Sequence, residues 1–176
     1  MIQSYGLRRV AAQTLLSLLL LALLGACEPD PSSSSPPPPR VLTRDAVGYF
    51  CSMIVEDHEG PKGQAVLEGA GETLWFTSAR DTLAFMLLPE EPKSGAAVYV
   101  TDMGNAAWEH PENSGDVWID ARTAWYVIGS RKVGGMGQPE AVPFAARSAA
   151  EAFAVEFGGE VVDFPSLPTD YILGSS

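Results

Sequence analysis

The chain has 176 residues, a formal net charge of −11, two cysteines and two histidines. An acidic excess of this size argues against nucleic acid as a partner and against a basic patch gripping anionic lipid. So few histidines leave little room for acid–base catalysis, and no G-x-S-x-G turn, phosphate loop or dinucleotide fingerprint occurs.

The N-terminus carries Arg8 and Arg9, then an apolar stretch from Thr14 to Leu24, then Leu24-Gly25-Ala26-Cys27. A charged start, a short apolar core and small residues before a cysteine are the pattern of a bacterial lipoprotein signal peptide over residues 1–26, with Cys27 as the lipidated residue. The apolar run is shorter than the roughly 20 residues a spanning helix needs, and an uncleaved anchor would leave Cys27 without a role. Removing a leader with two arginines and no acidic residue takes the formal charge to −13. About 150 residues remain, enough for one domain or two small lobes.

Residues 27–40 include EPDPSSSSPPPPR, a serine- and proline-rich stretch that cannot bury apolar surface. It reads as a disordered tether, with order beginning near Val41. Ala46 to Val55 (AVGYFCSMIV) then reads as a strand. Gln64–Leu67 and Thr73–Phe76 read as two more, around a glycine-rich turn at Gly69 and Gly71. Thr77 or Ser78 can cap a helix that Pro89 stops near Leu88, and Ala96 to Thr101 follows as a strand.

The second half repeats this plan. Val117 to Gly129 (VWIDARTAWYVIG) is rich in strand formers, with Asp120 and Arg122 spaced for an ion pair. Gly134 to Gly137 is a loop, Val142–Ala145 a short strand, Ser148–Phe157 an alanine-rich helix closed by Gly158-Gly159, and Glu160–Phe164 a last strand. Phe85 lies nine residues after Phe76, as Phe153 lies nine after Phe144. The fold class is therefore α+β. Two small related ββαβ lobes, residues 41–110 and 111–176, follow the leader and tether, with a loosely ordered tail from Pro165.

With Cys27 acylated, Cys51 has no partner within the chain. It is then an inert packed cysteine, a reactive thiol or a soft-metal ligand. On a strand Cys51 and Met53 project to one face, and thiolate with thioether selects Cu(I). No C-x-x-C or H-x-x-x-H spacing supports a structural zinc site. Met136 sits among glycines, a poor place for core packing. Met86 reads as core, and Met103 opens a loop after a strand. His58 lies among Glu56, Asp57 and Glu59, and His110 precedes Pro111. Each could add an imidazole ligand or be a solvated loop residue.

In this order the chain carries a lipobox, a polar tether, F-C-x-M (Phe50 to Met53), V-T-D (Val100 to Asp102), W-I-D-A-R-x-A-x-Y-V (Trp118 to Val127), M-G (Met136-Gly137) and P-F…A-x-x-F…G-G (Pro143 to Gly159). The set resembles the NosL family of nitrous oxide reductase accessory lipoproteins, over nearly all of the chain after the tether. The resemblance implies a non-enzymatic, lipid-anchored Cu(I) chaperone on the periplasmic side of a bacterial membrane. Its implied partners are apo nitrous oxide reductase, whose copper–sulfide centre needs copper, and copper-supply proteins. It also implies two ββαβ lobes similar to a lobe of organomercurial lyase.

Residue by residue, the resemblance implies Cys51 and Met53 (the family's C-G-M) and Met136 (its M-G) as copper ligands; it does not fix the complete set, to which His58, His110 or Met103 could contribute. Ser52 stands where the family usually has glycine. Gly135 stands where proline commonly precedes the methionine, which implies a more mobile loop. A scaffold lipoprotein with Cys51 as packing is the alternative; a thiol- or mercury-handling enzyme rests on fold analogy alone.

Overall fold

The computed structural model describes residues 35–69 and 71–174; the expected leader and Cys27 lie outside them. Strand β1 (Gly63–Val66) pairs antiparallel with β2 (Thr73–Phe76), Gly63 opposite Phe76 and Val66 opposite Thr73. Ser78 starts helix α1 (Ala79–Leu87), its hydroxyl accepting the amide of Asp81 at 3.0 Å. The helix stops at Leu88, whose extended backbone suits the residue before Pro89. Strand β3 (Ala97–Thr101) returns antiparallel beside β1, and β4 (Trp118–Asp120) pairs with β3, giving the order β2-β1-β3-β4. Helix α1 lies directly on β1: a Cβ on Gly63 would fall 1.8 Å from the Thr82 hydroxyl.

The second sheet centres on β5 (Trp125–Ile128), flanked antiparallel by β6 (Val142–Phe144) and β7 (Glu160–Asp163). Helix α2 (Arg147–Phe157) connects the two flanking strands. Pro143 is tolerated in β6 because that strand is at the edge, and its carbonyl accepts the amide of Met103 at 2.9 Å. The two phenylalanine pairs noted in the sequence occupy matching places. The Phe76 and Phe85 rings lie 5.3 Å apart at 48°, and those of Phe144 and Phe153 lie 5.3 Å apart at 52°. Each pair pins a helix to the strand before it.

Four expectations change. The run from 46 to 55 is a tight hairpin rather than a strand, with an isolated antiparallel bridge between Val47 and Ile54. The run from 117 to 129 is two strands. The Asp120 carboxylate accepts the backbone amide of Arg122 at 2.7 Å and turns the chain, with Ala121 and Ala124 buried inside the bend. That side chain therefore closes a turn where an ion pair was expected. It also puts β4 in the first sheet, although a boundary after residue 110 assigned it to the second half.

The chain beyond Pro165 is also ordered. A short helix, α3 (Thr169–Leu173), buries Ile172 against the core, and Arg80 Nε donates to the Ile172 carbonyl at 2.9 Å. Order also begins before Val41. Buried Gln64 accepts the Arg40 amide at 2.7 Å and donates to the Arg40 carbonyl at 3.0 Å, while the Tyr99 hydroxyl donates to the Pro37 carbonyl at 2.7 Å. The side chains that hold this segment come from β1 and β3, so its own composition carries no sign of them.

Candidate metal site

Ala46 to Val55 folds back on itself through three backbone bonds, Gly48 amide to Met53 carbonyl and Ser52 amide to Gly48 carbonyl, both 2.8 Å, and Val55 amide to Ala46 carbonyl at 3.0 Å. The hairpin lies against the free edge of β2, where the Tyr49 amide donates to the Trp75 carbonyl at 2.7 Å. Tyr49 and Phe50 pack on buried Phe76 with ring centres at 6.0 and 5.7 Å, so aromatic contact holds the turn down while leaving both rings partly exposed.

At its tip Ser52 adopts φ +57°, the left-handed region. Cys51 and Met53 therefore flank a reversal of the chain instead of alternating along a strand. The Cys51 Sγ folds back over Gly48, where a Cβ would come within 2.6 Å of it. It lies 3.6 Å from the buried Thr77 hydroxyl, just ahead of α1. The thiol is half-buried and unpaired, and Met53 is 39% exposed.

Met136 is 37% exposed on a loop closed by Gly134 amide to Gln138 carbonyl (2.9 Å) and Gly137 amide to Gly134 carbonyl (2.8 Å). The Gly135 amide donates to the Glu59 carbonyl at 3.1 Å, and a Cβ there would lie 2.7 Å from His58 Cβ. A proline could not make that bond, so the glycine fastens the loop, contrary to the mobility expected of it. Phe50, from the cysteine hairpin, and Met136 line one cleft of about 440 Å³, together with Ser78, Arg80, Glu140 and Leu173.

The other donors fall elsewhere. Met103 packs against the second core cluster, and Met86 against the first. His110 is exposed, its Nδ1 3.1 Å from Glu112 Oε1. His58 keeps a buried Nε2 with no hydrogen-bond partner. Among the described residues no three His, Cys, Asp or Glu side chains converge. A hard divalent ion thus has no cage here, while one thiol and two accessible thioethers suit a soft monovalent ion.

Two buried ionisable groups and two small contacts escaped sequence reasoning. Burial pushes the Glu140 carboxyl up to about 8, against the lowering effect of two backbone amides. Burial pulls the Lys62 ammonium down to about 8, although its Nζ donates to the carbonyls of His58 and Glu59. Desolvation also raises the Asp81 carboxyl at the start of α1. Gly48 and Thr77, which shape the cysteine's seat, carry no motif that would mark them. A glycine three residues before a cysteine was the only available sign.

Comparison with known proteins bears on this site. The NosL family model matches residues 39–172. The chain is 39% identical over 155 residues to the copper-binding lipoprotein NosL of Achromobacter cycloclastes, covering 87% of this chain and 78% of that protein. It is 37% identical over 162 residues to the copper-binding lipoprotein NosL of Stutzerimonas stutzeri, covering 92% and 83%. The crystal structure of the copper chaperone NosL from Shewanella denitrificans superposes with a TM-score of 0.67 at 32% identity, over 76% of this chain and 98% of that one. These relatives carry the names of copper-binding proteins and none is named for a reaction. A family match running through both sheets, joined to more than one-third identity over most of two relatives' lengths, makes this chain a member of the NosL family.

Proposed function

We propose that the chain is a lipid-anchored Cu(I) carrier of the bacterial envelope, attached through Cys27, that feeds copper to apo nitrous oxide reductase for its copper–sulfide centre. Copper is the cargo, and Cys51, Met53 and Met136 are its ligands. One observation carries the reading: a half-buried, unpaired thiol at a hairpin tip beside an exposed thioether, with its neighbour Phe50 and a second exposed thioether lining one cleft. The relatives named as copper-binding lipoproteins support it.

The chemistry of hand-over favours this arrangement. Two or three soft ligands on an accessible rim hold Cu(I), yet leave room for a partner's ligand to enter before the first bond breaks. A closed four-ligand cage would resist such exchange. Cu(I) displaces the thiol proton on binding, so affinity rises with pH.

Anaerobic Cu(I) titration against a competing chelator tests the ligand set. Affinity is expected to fall more than about a hundredfold in Cys51→Ala and about tenfold in Met53→Ala or Met136→Ala. Unchanged affinity in Cys51→Ala would overturn the reading and leave Cys51 as packing in a scaffold lipoprotein. Anchorage is tested separately: Cys27→Ser should move the protein from the membrane to the soluble envelope fraction.

A further inference from the structure

Met136 and Cys51 lie in different halves of the chain, so something must fix one relative to the other. The residues that bound the methionine loop show what does. Upstream, Gly135 is held by the Glu59 carbonyl. Downstream, Glu140 is 2% exposed, and its Oε1 accepts the Arg80 amide at 2.8 Å and the Ala141 amide at 2.9 Å. Its Oε2 faces Gly134, where a Cβ would lie 2.8 Å away. Its carbonyl accepts the Tyr171 hydroxyl at 2.9 Å, and the Pro139 carbonyl accepts Arg80 Nη1 at 3.4 Å.

Arg80 is the second residue of α1, and Thr77, against which Cys51 Sγ rests, lies three residues earlier. The start of α1 is therefore a common reference for both sulfur donors. Cys51 touches it through Thr77, and the methionine loop touches it through Glu140. Of the intervening loop, Gly137 stands in open space.

A carboxyl group sealed from water with no cation in hydrogen-bond contact is a costly way to pin a loop. What it supplies is an acceptor that reaches across to the free Arg80 amide in the first turn of α1, which an apolar residue there would leave unsatisfied. Building on the proposed copper reading, we infer that Glu140 is a positioning residue for the copper site. It holds the Met136 loop against the helix start that seats Cys51, and so sets whether the thioether reaches a metal bound at the thiol.

A double-mutant cycle on the full-length protein separates this role from general stabilisation, with the competing chelator and Cu(I) alone as the probe. Glu140→Ala should weaken Cu(I) binding about tenfold, the scale typical of losing a residue that orients a ligand. In the Glu140→Ala background, adding Met136→Ala should cost less than about twofold, while Cys51→Ala still removes tight binding. Glu140→Gln, which keeps the acceptor oxygen, should restore most of the affinity. Copper X-ray absorption should show one fewer sulfur neighbour in Glu140→Ala than in the parent and in Glu140→Gln.

If Glu140→Ala does not fold, two glycines inserted after Gly137 test the same point. They slacken the link between Met136 and its anchor and leave the Glu140 bonds in place. The insertion should reproduce the loss of Met136's share. Full retention of the Met136→Ala effect in Glu140→Ala or in the insertion would overturn the inference. The two ideas fail separately. An unchanged Cys51→Ala removes the copper reading, whereas a Cys51-dependent site indifferent to Glu140 removes only this one.

Discussion

At the hairpin tip, Ser52 is the one residue other than glycine at positive φ among the described residues. A left-handed backbone costs an L-residue about 1–2 kcal/mol, and glycine's extra freedom in the unfolded chain returns about half of that. Ser52→Gly should therefore stabilise the protein by about 0.5–1 kcal/mol in urea unfolding without weakening copper binding. Gly48→Ala is the complementary probe. Its φ is ordinary, but the new methyl would meet Cys51 Sγ at 2.6 Å and displace it. Cu(I) affinity should drop about tenfold while α1 and the sheets stay folded. The sulfur side chains proposed as ligands are legible in the sequence; their geometry is not. AVGYFCSMIV has the apolar content of a strand, and period-two reasoning put both sulfurs on one face. The reversal comes from Ser52's backbone and from the edge of β2, neither of which leaves a mark in residue types.

Among the elements, the two longer helices differ at their starts. Ser78 caps α1 through the Asp81 amide, whereas Ala146 at the corresponding place before α2 offers no side-chain acceptor. Ser78→Ala should cost about 1 kcal/mol, and Ala146→Ser should gain about 0.5–1 kcal/mol, both measured by chemical denaturation. Both helices and most strands were readable to within a residue or two, because capping residues, Pro89 and the Gly158-Gly159 stop bound them in the sequence itself. The matched phenylalanine spacing was readable for the same reason, since it is a local pattern. The split of residues 117–129 was not, because both strands and the bend between them bury apolar residues and the run never turns polar. The short α3 was missed because five residues give no helical period. Its order comes from Ile172 in the core and from Tyr171, whose hydroxyl links Gly129 to Glu140.

Across the whole molecule, two buried ionisable groups make stability depend on pH in opposite senses. Glu140 titrates near 8 when folded and near 4.5 in its ordinary state, so the folded chain holds a proton that the unfolded chain has released. Stability should fall as pH rises across that interval. Lys62 titrates near 8 when folded against 10.5 ordinarily, so above 8 the folded chain has given up a proton that the unfolded chain keeps, and stability should rise towards 10.5. Urea midpoints measured from pH 5 to 10 should pass through a minimum near 8. Glu140→Gln should flatten the lower limb and leave the upper one. No sequence pattern distinguishes these two from the chain's other acids and its two other lysines, since burial is a property of the finished packing.

The grip of Gln64 on Arg40 and of Tyr99 on Pro37 has a mechanical result. The proposed acyl chain on Cys27 would stand ten residues along the chain from Pro37, the first residue so held. At no more than roughly 3.5 Å per residue, the two cannot be farther apart than about 35 Å. On the proposed reading, the cargo turn would then work in a shallow layer beside the bilayer, and its customers would have to present their own copper sites close to the lipid surface.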